Sequence, residues 1–286
     1  MSEHDNPYES LADEAGDDAH WAFGAGFTDP LEGIDTTVPA GLDADLLAAY
    51  CLALGDDALI YSHRLQQWMT RMPELEEETA LANIALDLLG QARMLLARAG
   101  GIAGHTEDEL AFRRDEHEFR NVRLVEHRDD DFAELVGRLL LFSGWRLALF
   151  EALAGCADPV LAAIAGKGVK ELTYHRDWAA QWVVRLGDGT ELSRERMQAA
   201  LERRWPLVDE LFTTRSDELV AVAALRPDFD VVLDTVFATS HLERPAAAPL
   251  AGVGGRTGRD GVHTEAMGYV LAELQSVARA DPDATW

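Results

Sequence analysis

The sequence predicts an all-α protein: a four-helix bundle with additional C-terminal helices. Apolar residues recur at helical spacing in long stretches from Asp43 onward, and no alternating strand pattern runs longer than a few residues. Acidic first turns, prolines and glycine pairs mark where those stretches begin and end.

The first long helix is predicted over 43–70, ending before Pro73. The second, over 74–99, opens with Glu74, Glu76, Glu77 and Glu78, whose charges suit the positive end of a helix dipole. It is predicted to stop at Gly100-Gly101. A shorter helix is expected near 106–117, and the third core helix over 131–154. The fourth starts with Asp158 as N-cap and Pro159 in its first turn, and runs to Gly187-Asp188-Gly189. A helix over 191–213 contains Pro206 and is expected to kink there. One or two helices over 216–242, a glycine-rich loop over 252–261 and a last helix over 264–280 complete the chain.

The 286 residues are 48% hydrophobic, enough for a sizeable core. The formal charge of −26 argues against nucleic acid and anionic membrane surfaces as partners. Fourteen acids and no Lys or Arg precede Arg64, so much of this charge belongs to the N-terminal region. Residues 1–42 are expected to form a flexible acidic extension, and 43–286 the helical domain. Trp21, Phe23 and Phe27 form an aromatic cluster in that extension, suited to docking on a partner or on the bundle. The N-terminus is the opposite of a signal peptide, and no stretch reaches eighteen uninterrupted apolar residues, so a soluble cytoplasmic protein is expected. Cys51 and Cys156 stand alone in apolar stretches and are expected to be buried small hydrophobes.

A four-helix bundle that holds two iron ions takes a Glu from each of two helices and a Glu-x-x-His from each of the others. This chain falls short of that set. Leu135–Phe150 on the third helix contains no Asp, Glu, His or Cys. An acid three residues before a His occurs at Asp17/His20 and Asp260/His263, neither on a core helix. On the second helix the corresponding pair is Asp87 and Gly90, with Gln91 a poor substitute for His. On the fourth, Glu171 and His175 stand four apart and are expected to share a face.

The remaining set of Asp56 or Asp57, Asp87, Glu171 and His175 is a degenerate one, and neither a metal site nor a catalytic residue is expected. Arg138 and Arg146, on the third helix, are candidate substitute counter-charges to Asp87 or to Asp56/Asp57. His63, His105, His117, His127 and His241 are isolated, and Trp178 and Trp182 are expected to pack in the core or an interface. The loop with Arg256 and Arg259 is expected to be a connector; contact with a phosphate is the weaker reading.

Five segments carry a family resemblance: LGDDALIYSHRLQQW (54–68), PELEEETALANIALDLLGQARMLL (73–96), FRRDEHEFRNVRLVE (112–126), KELTYHRDWAAQWVVRLGDGTELS (170–193) and GGRTGRDGVHTEAMGYVLAELQ (254–275). Together they resemble the C-subunit family of the ring-1,2-phenylacetyl-CoA epoxidase, over about 45–286. The resemblance implies a ferritin-like bundle acting as the structural subunit beside a homologous catalytic subunit that keeps the di-iron site. It further implies a small accessory subunit and a reductase passing electrons from NADPH through FAD and iron–sulfur. The reaction implied is epoxidation of the ring of phenylacetyl-CoA in aerobic phenylacetate catabolism. The competing reading is a stand-alone ferritin-like di-metal oxidase or metal-storage protein.

Overall fold

The computed structural model describes residue 31 and residues 33–216 and 218–282. Trp21, Phe23, Phe27 and most of the acidic extension lie outside the described residues. The chain divides into two units, 1–33 and 34–286, and every helix described belongs to the second. That unit begins ahead of the expected Asp43: Arg98 Nη1 donates to the carbonyl of Thr36 at 2.5 Å.

Among the described residues there are eight α-helices and no strand beyond one isolated bridge, Val253–Arg256. Helix α1 spans Ala44–Gln66, α2 Leu75–Ala103, α3 Glu107–Phe112, α4 Phe132–Leu153 and α5 Pro159–Gly187. Helix α6 spans Glu191–Arg204, α7 Arg226–Ser240 and α8 Glu265–Ala280. Helices α1 and α2 form one hairpin, α4 and α5 another, and α2 against α5 joins them into the bundle. Helix α4 is buried nearly all round, as a helix with so few polar residues requires. Helices α6, α7 and α8 pack on the outside.

The caps follow from the sequence. The carboxylate of Asp43 accepts from Asp45 N and Leu46 N, that of Asp131 from Glu134 N, and that of Asp158 from Leu161 N, with Pro159 in the first turn. Thr106 and Glu109 form a reciprocal capping box at α3.

Four boundaries differ from expectation. Helix α1 ends at Gln66 because the following residues tighten into i→i+3 turns and Thr70 takes φ +70°, outside helical geometry. Helix α3 stops at Phe112, and the chain resumes as 3₁₀ turns at Glu116–Glu118 and Arg123–Val125. Helix α6 stops at Arg204, because Pro206 has no N–H to continue the ladder, and 3₁₀ turns follow at Trp205–Leu207 and Asp209–Phe212.

Helix α2 runs through Gly100-Gly101 and ends at Gly104, whose φ of +81° supplies the left-handed cap. Gly100 is needed for contact: a Cβ there would lie 2.3 Å from the carbonyl oxygen of His105. Gly101 faces open space.

Gly100→Ala is therefore expected to destabilise the protein. Gly101→Ala is expected to stabilise it, by about 0.5–1 kcal/mol from helix propensity. Urea unfolding of the two variants beside wild type checks the opposite signs.

Candidate functional site

The interior where α1, α2, α4 and α5 meet is polar. Asp57, Gln91, Arg146 and His175 are fully buried there, one from each helix. Arg146 Nε donates to Gln91 Oε1 at 3.0 Å, its Nη2 to the carbonyl of Leu54 at 3.2 Å, and its Nη1 lies 3.8 Å from Asp57 Oδ2. Gln91 Nε2 passes the chain on to Glu171 Oε2 at 3.0 Å. The guanidinium also lies over the ring of Phe150, 4.5 Å from its centroid. Burial pulls the Arg146 guanidinium down to about 10, with Asp57 opposing that shift.

Asp57 has a second, closer cation. Arg259 Nη2 donates to Asp57 Oδ2 at 2.7 Å and Nη1 to Oδ1 at 3.0 Å, while Val122 N donates to Oδ1 at 2.8 Å. Burial raises the Asp57 carboxyl above its ordinary range, and Arg259 and Arg146 pull it back. Asp56, the next residue along α1, faces Arg114, which grips both carboxylate oxygens, and accepts from Arg120 N at 2.9 Å. Consecutive helical residues point about 100° apart, which is why the two acids have separate partners.

The expected site residues are thus only partly brought together. Arg146 reaches Asp57, whereas Arg138 does not face Asp56, Asp57 or Asp87: it pairs with Asp129 and donates to the carbonyl of Val125 at 3.1 Å. Glu171 and His175 do not act on a common partner. Glu171 takes the Gln91 amide and lies 3.4 Å from Lys167, while His175 Nε2 lies 3.0 Å from Asp87 Oδ2. Leu88/Gln91 and Leu172/His175 are fully buried pairs spaced by three, one residue on from Asp87/Gly90 and from Glu171. Among the described residues, no cluster of three or more His, Cys, Asp or Glu is arranged to hold a metal ion.

Other expectations are met in part. The glycine-rich loop is neither a plain connector nor a phosphate cradle at Arg259, which enters the bundle; Arg256 donates instead to the carbonyl of Asp260 at 3.1 Å. Sequence reading missed the partnership of Arg259 with Asp57 because the two lie 202 positions apart, and no local pattern encodes it. Asp260 caps its own turn through Thr257 N and pairs with Arg215 at 2.9 Å. Cys51 is buried, and burial pushes its thiol up to about 12; Cys156 is only half-buried. The indoles of Trp178 and Trp182 both donate to Glu77 Oε2, at 3.0 and 2.9 Å.

A further buried carboxylate, Glu126, anchors the start of α8. It accepts from Asn121 Nδ2 at 3.0 Å, Thr264 N at 2.7 Å and Thr264 Oγ1 at 2.6 Å. His263 Nδ1 lies 2.7 Å from the Glu126 carboxylate and Nε2 lies 3.1 Å from the carbonyl of Phe119. Both neighbours only accept, so both ring nitrogens must carry protons, and His263 is an imidazolium. Burial disfavours that charge, but the hydrogen bond and charge of Glu126, the Phe119 carbonyl and Glu116 outweigh it and raise the imidazole above its ordinary value.

This polar-centred helical bundle is of the ferritin-like class. The chain belongs to the phenylacetic acid catabolic protein family, which its sequence matches over residues 35–286. It is 41% identical over 249 residues to the C subunit of the 1,2-phenylacetyl-CoA epoxidase of Escherichia coli (strain K12), covering 84% of this chain and 99% of that relative.

The buried charges can be tested by substitution. Arg259→Met leaves Asp57 without its nearest cation and is expected to cost about 3–5 kcal/mol of stability, much of it recovered in Asp57→Asn/Arg259→Met. A double-mutant cycle in urea measures that recovery. The His263 contribution is present in full below the unfolded imidazole value of about 6.5 and is lost as pH rises through the raised folded value. Wild-type stability minus that of His263→Gln is therefore expected to fall with rising pH above about 6.5, as a urea series across that range would register.

Proposed function

We propose that this chain is the structural, non-catalytic subunit of a multicomponent di-iron oxygenase that epoxidises the ring of phenylacetyl-CoA in aerobic phenylacetate catabolism. The observation that carries this reading is the Arg146 guanidinium at the bundle centre, hydrogen-bonded to Gln91 and facing Asp57. A di-iron centre needs carboxylate oxygens and imidazole nitrogens converging from all four helices. A guanidinium is a donor with no lone pair to offer. Leu172 stands three residues before His175, where a Glu-x-x-His pair needs its Glu, and Gln91 stands three after Leu88, where such a pair needs its His. These residues do not fit two iron ions, so no reaction step is assigned to them.

Their role is instead to hold four helices in register without a metal. Arg146 links α4 to α2 and to the α1 backbone, Gln91 links α2 to α5, and His175 links α5 to Asp87. The catalytic work falls to a homologous di-iron subunit, joined by a small accessory subunit and fed by a reductase that carries NADPH electrons through FAD and iron–sulfur. The assembly is cytoplasmic and acts without nucleic acid or membrane.

Helix α2 supports a partner role. Its most apolar eighteen-residue stretch has mean hydropathy 1.3, long and apolar enough by composition to cross a membrane, yet only 44% of it is buried within the chain. Leu86 on α2 is 58% exposed, and Tyr174 on the neighbouring α5 is 48% exposed. A homologous helical partner laid over such a face would remove it from water in an obligate interface.

Co-expression with and without the candidate catalytic subunit, followed by sizing and iron analysis, tests the reading. The expected outcome is no stoichiometric iron in the isolated chain, and about two irons per catalytic subunit in a co-eluting complex. Two irons in the isolated chain would instead establish a stand-alone ferritin-like di-metal oxidase or metal-storage protein.

A further inference from the structure

Beside the Asp57–Arg259 pair lies a cavity of about 40 Å³, walled by α1, α4, residues 210–213, Val222 and the glycine-rich loop. Tyr50 and Trp145 present buried polar groups in its wall. Tyr50, 6% exposed, and Trp145, 1% exposed, have no hydrogen-bond partner for Oη and Nε1 among the described residues. Burial pushes the Tyr50 phenol far up, which keeps its proton in place as a donor. An indole N–H is a donor only. The lining also includes Glu210, Thr213 and Thr257, all with oxygens that accept. Glu210 already receives Arg123 Nε at 2.7 Å and Gly258 N at 3.1 Å, and an ionised carboxylate has further lone pairs to offer.

Unpaired buried donors are rare in folded proteins, and ordered water is the usual partner when a site is polar and large enough. One water needs roughly 10–15 Å³ of such space and two to four polar partners, so this cavity has room for water. We propose that it is a structural water site: an ordered cluster accepts from Tyr50 Oη and Trp145 Nε1 and donates to the acceptor oxygens of the lining. The cluster joins α1 and α4 to residues 210–213 and to the loop that carries Arg259. It extends the polar tether of the C-terminal region by bonds that the protein alone does not make. The site is independent of the proposed subunit role, since it rests on the cavity and its two donors.

The test uses the full chain. Tyr50→Phe removes one hydroxyl and little volume. If water pairs that hydroxyl, the variant loses a hydrogen bond and its urea midpoint falls. If the hydroxyl is unpaired, its removal leaves the midpoint unchanged or raises it, and the proposal fails. A crystal structure of the wild-type chain gives the second measurement and stands even if the variant does not fold. Water density within about 3.2 Å of both Tyr50 Oη and Trp145 Nε1 is expected. A cavity that is dry, or that takes up xenon under pressure, overturns the proposal.

Discussion

The structure depends on neutralising two consecutive carboxylates, Asp56 and Asp57, on the most buried turns of α1. Both are fully buried. Taking a carboxylate out of water costs several kcal/mol, even after relaxation, unless cations and hydrogen bonds compensate. Because the two side chains diverge around the helix, the compensation comes from different directions. Asp56 draws in Arg114 and the backbone of Arg120, while Asp57 draws in Arg259, the backbone of Val122 and, more distantly, Arg146. The 114–122 segment and the glycine-rich loop are thereby fixed to the bundle by charge.

The same logic extends around the periphery. Arg64 donates to the carbonyls of Glu126 and Ala266, binding the start of α8 to the end of α1. Arg123 pairs with Glu210 and reaches the carbonyls of Leu250 and Ala251, holding the approach to the glycine-rich loop. His263 and Glu126 complete the attachment. A planar guanidinium satisfies several carbonyls at once, as a lysine ammonium does less well, and this chain has only two lysines. Buried charge of this kind contributes little net stability over a well-packed apolar core; its effect is to disfavour any other docking, because misplacement strands a charge.

Within the bundle, Arg146 and Gln91 form a chain of hydrogen bonds that runs from α4 through α2 to Glu171 on α5. The outer side of α2 is a different surface: Gly90 faces open space and Leu86 faces solvent, so its polar inner positions coexist with an apolar outer stripe. One helix thus joins the site to a face that a partner can cover.

The sequence by itself determined the helical class, the approximate span of the core helices and several of their starts, because caps and apolar periodicity act over a few residues. Asp158 with Pro159 is the clearest case. It also made plain the lack of acids and imidazoles along the middle of α4, since Leu135–Phe150 contains none. Only the tertiary structure decided which cation meets which acid. Arg138 went to Asp129 and Arg259 to Asp57, partnerships set by how loops return to the bundle. It likewise decided that Gln91, rather than Gly90, points inward: one residue rotates a helix by about 100°, a difference that packing resolves and spacing alone does not.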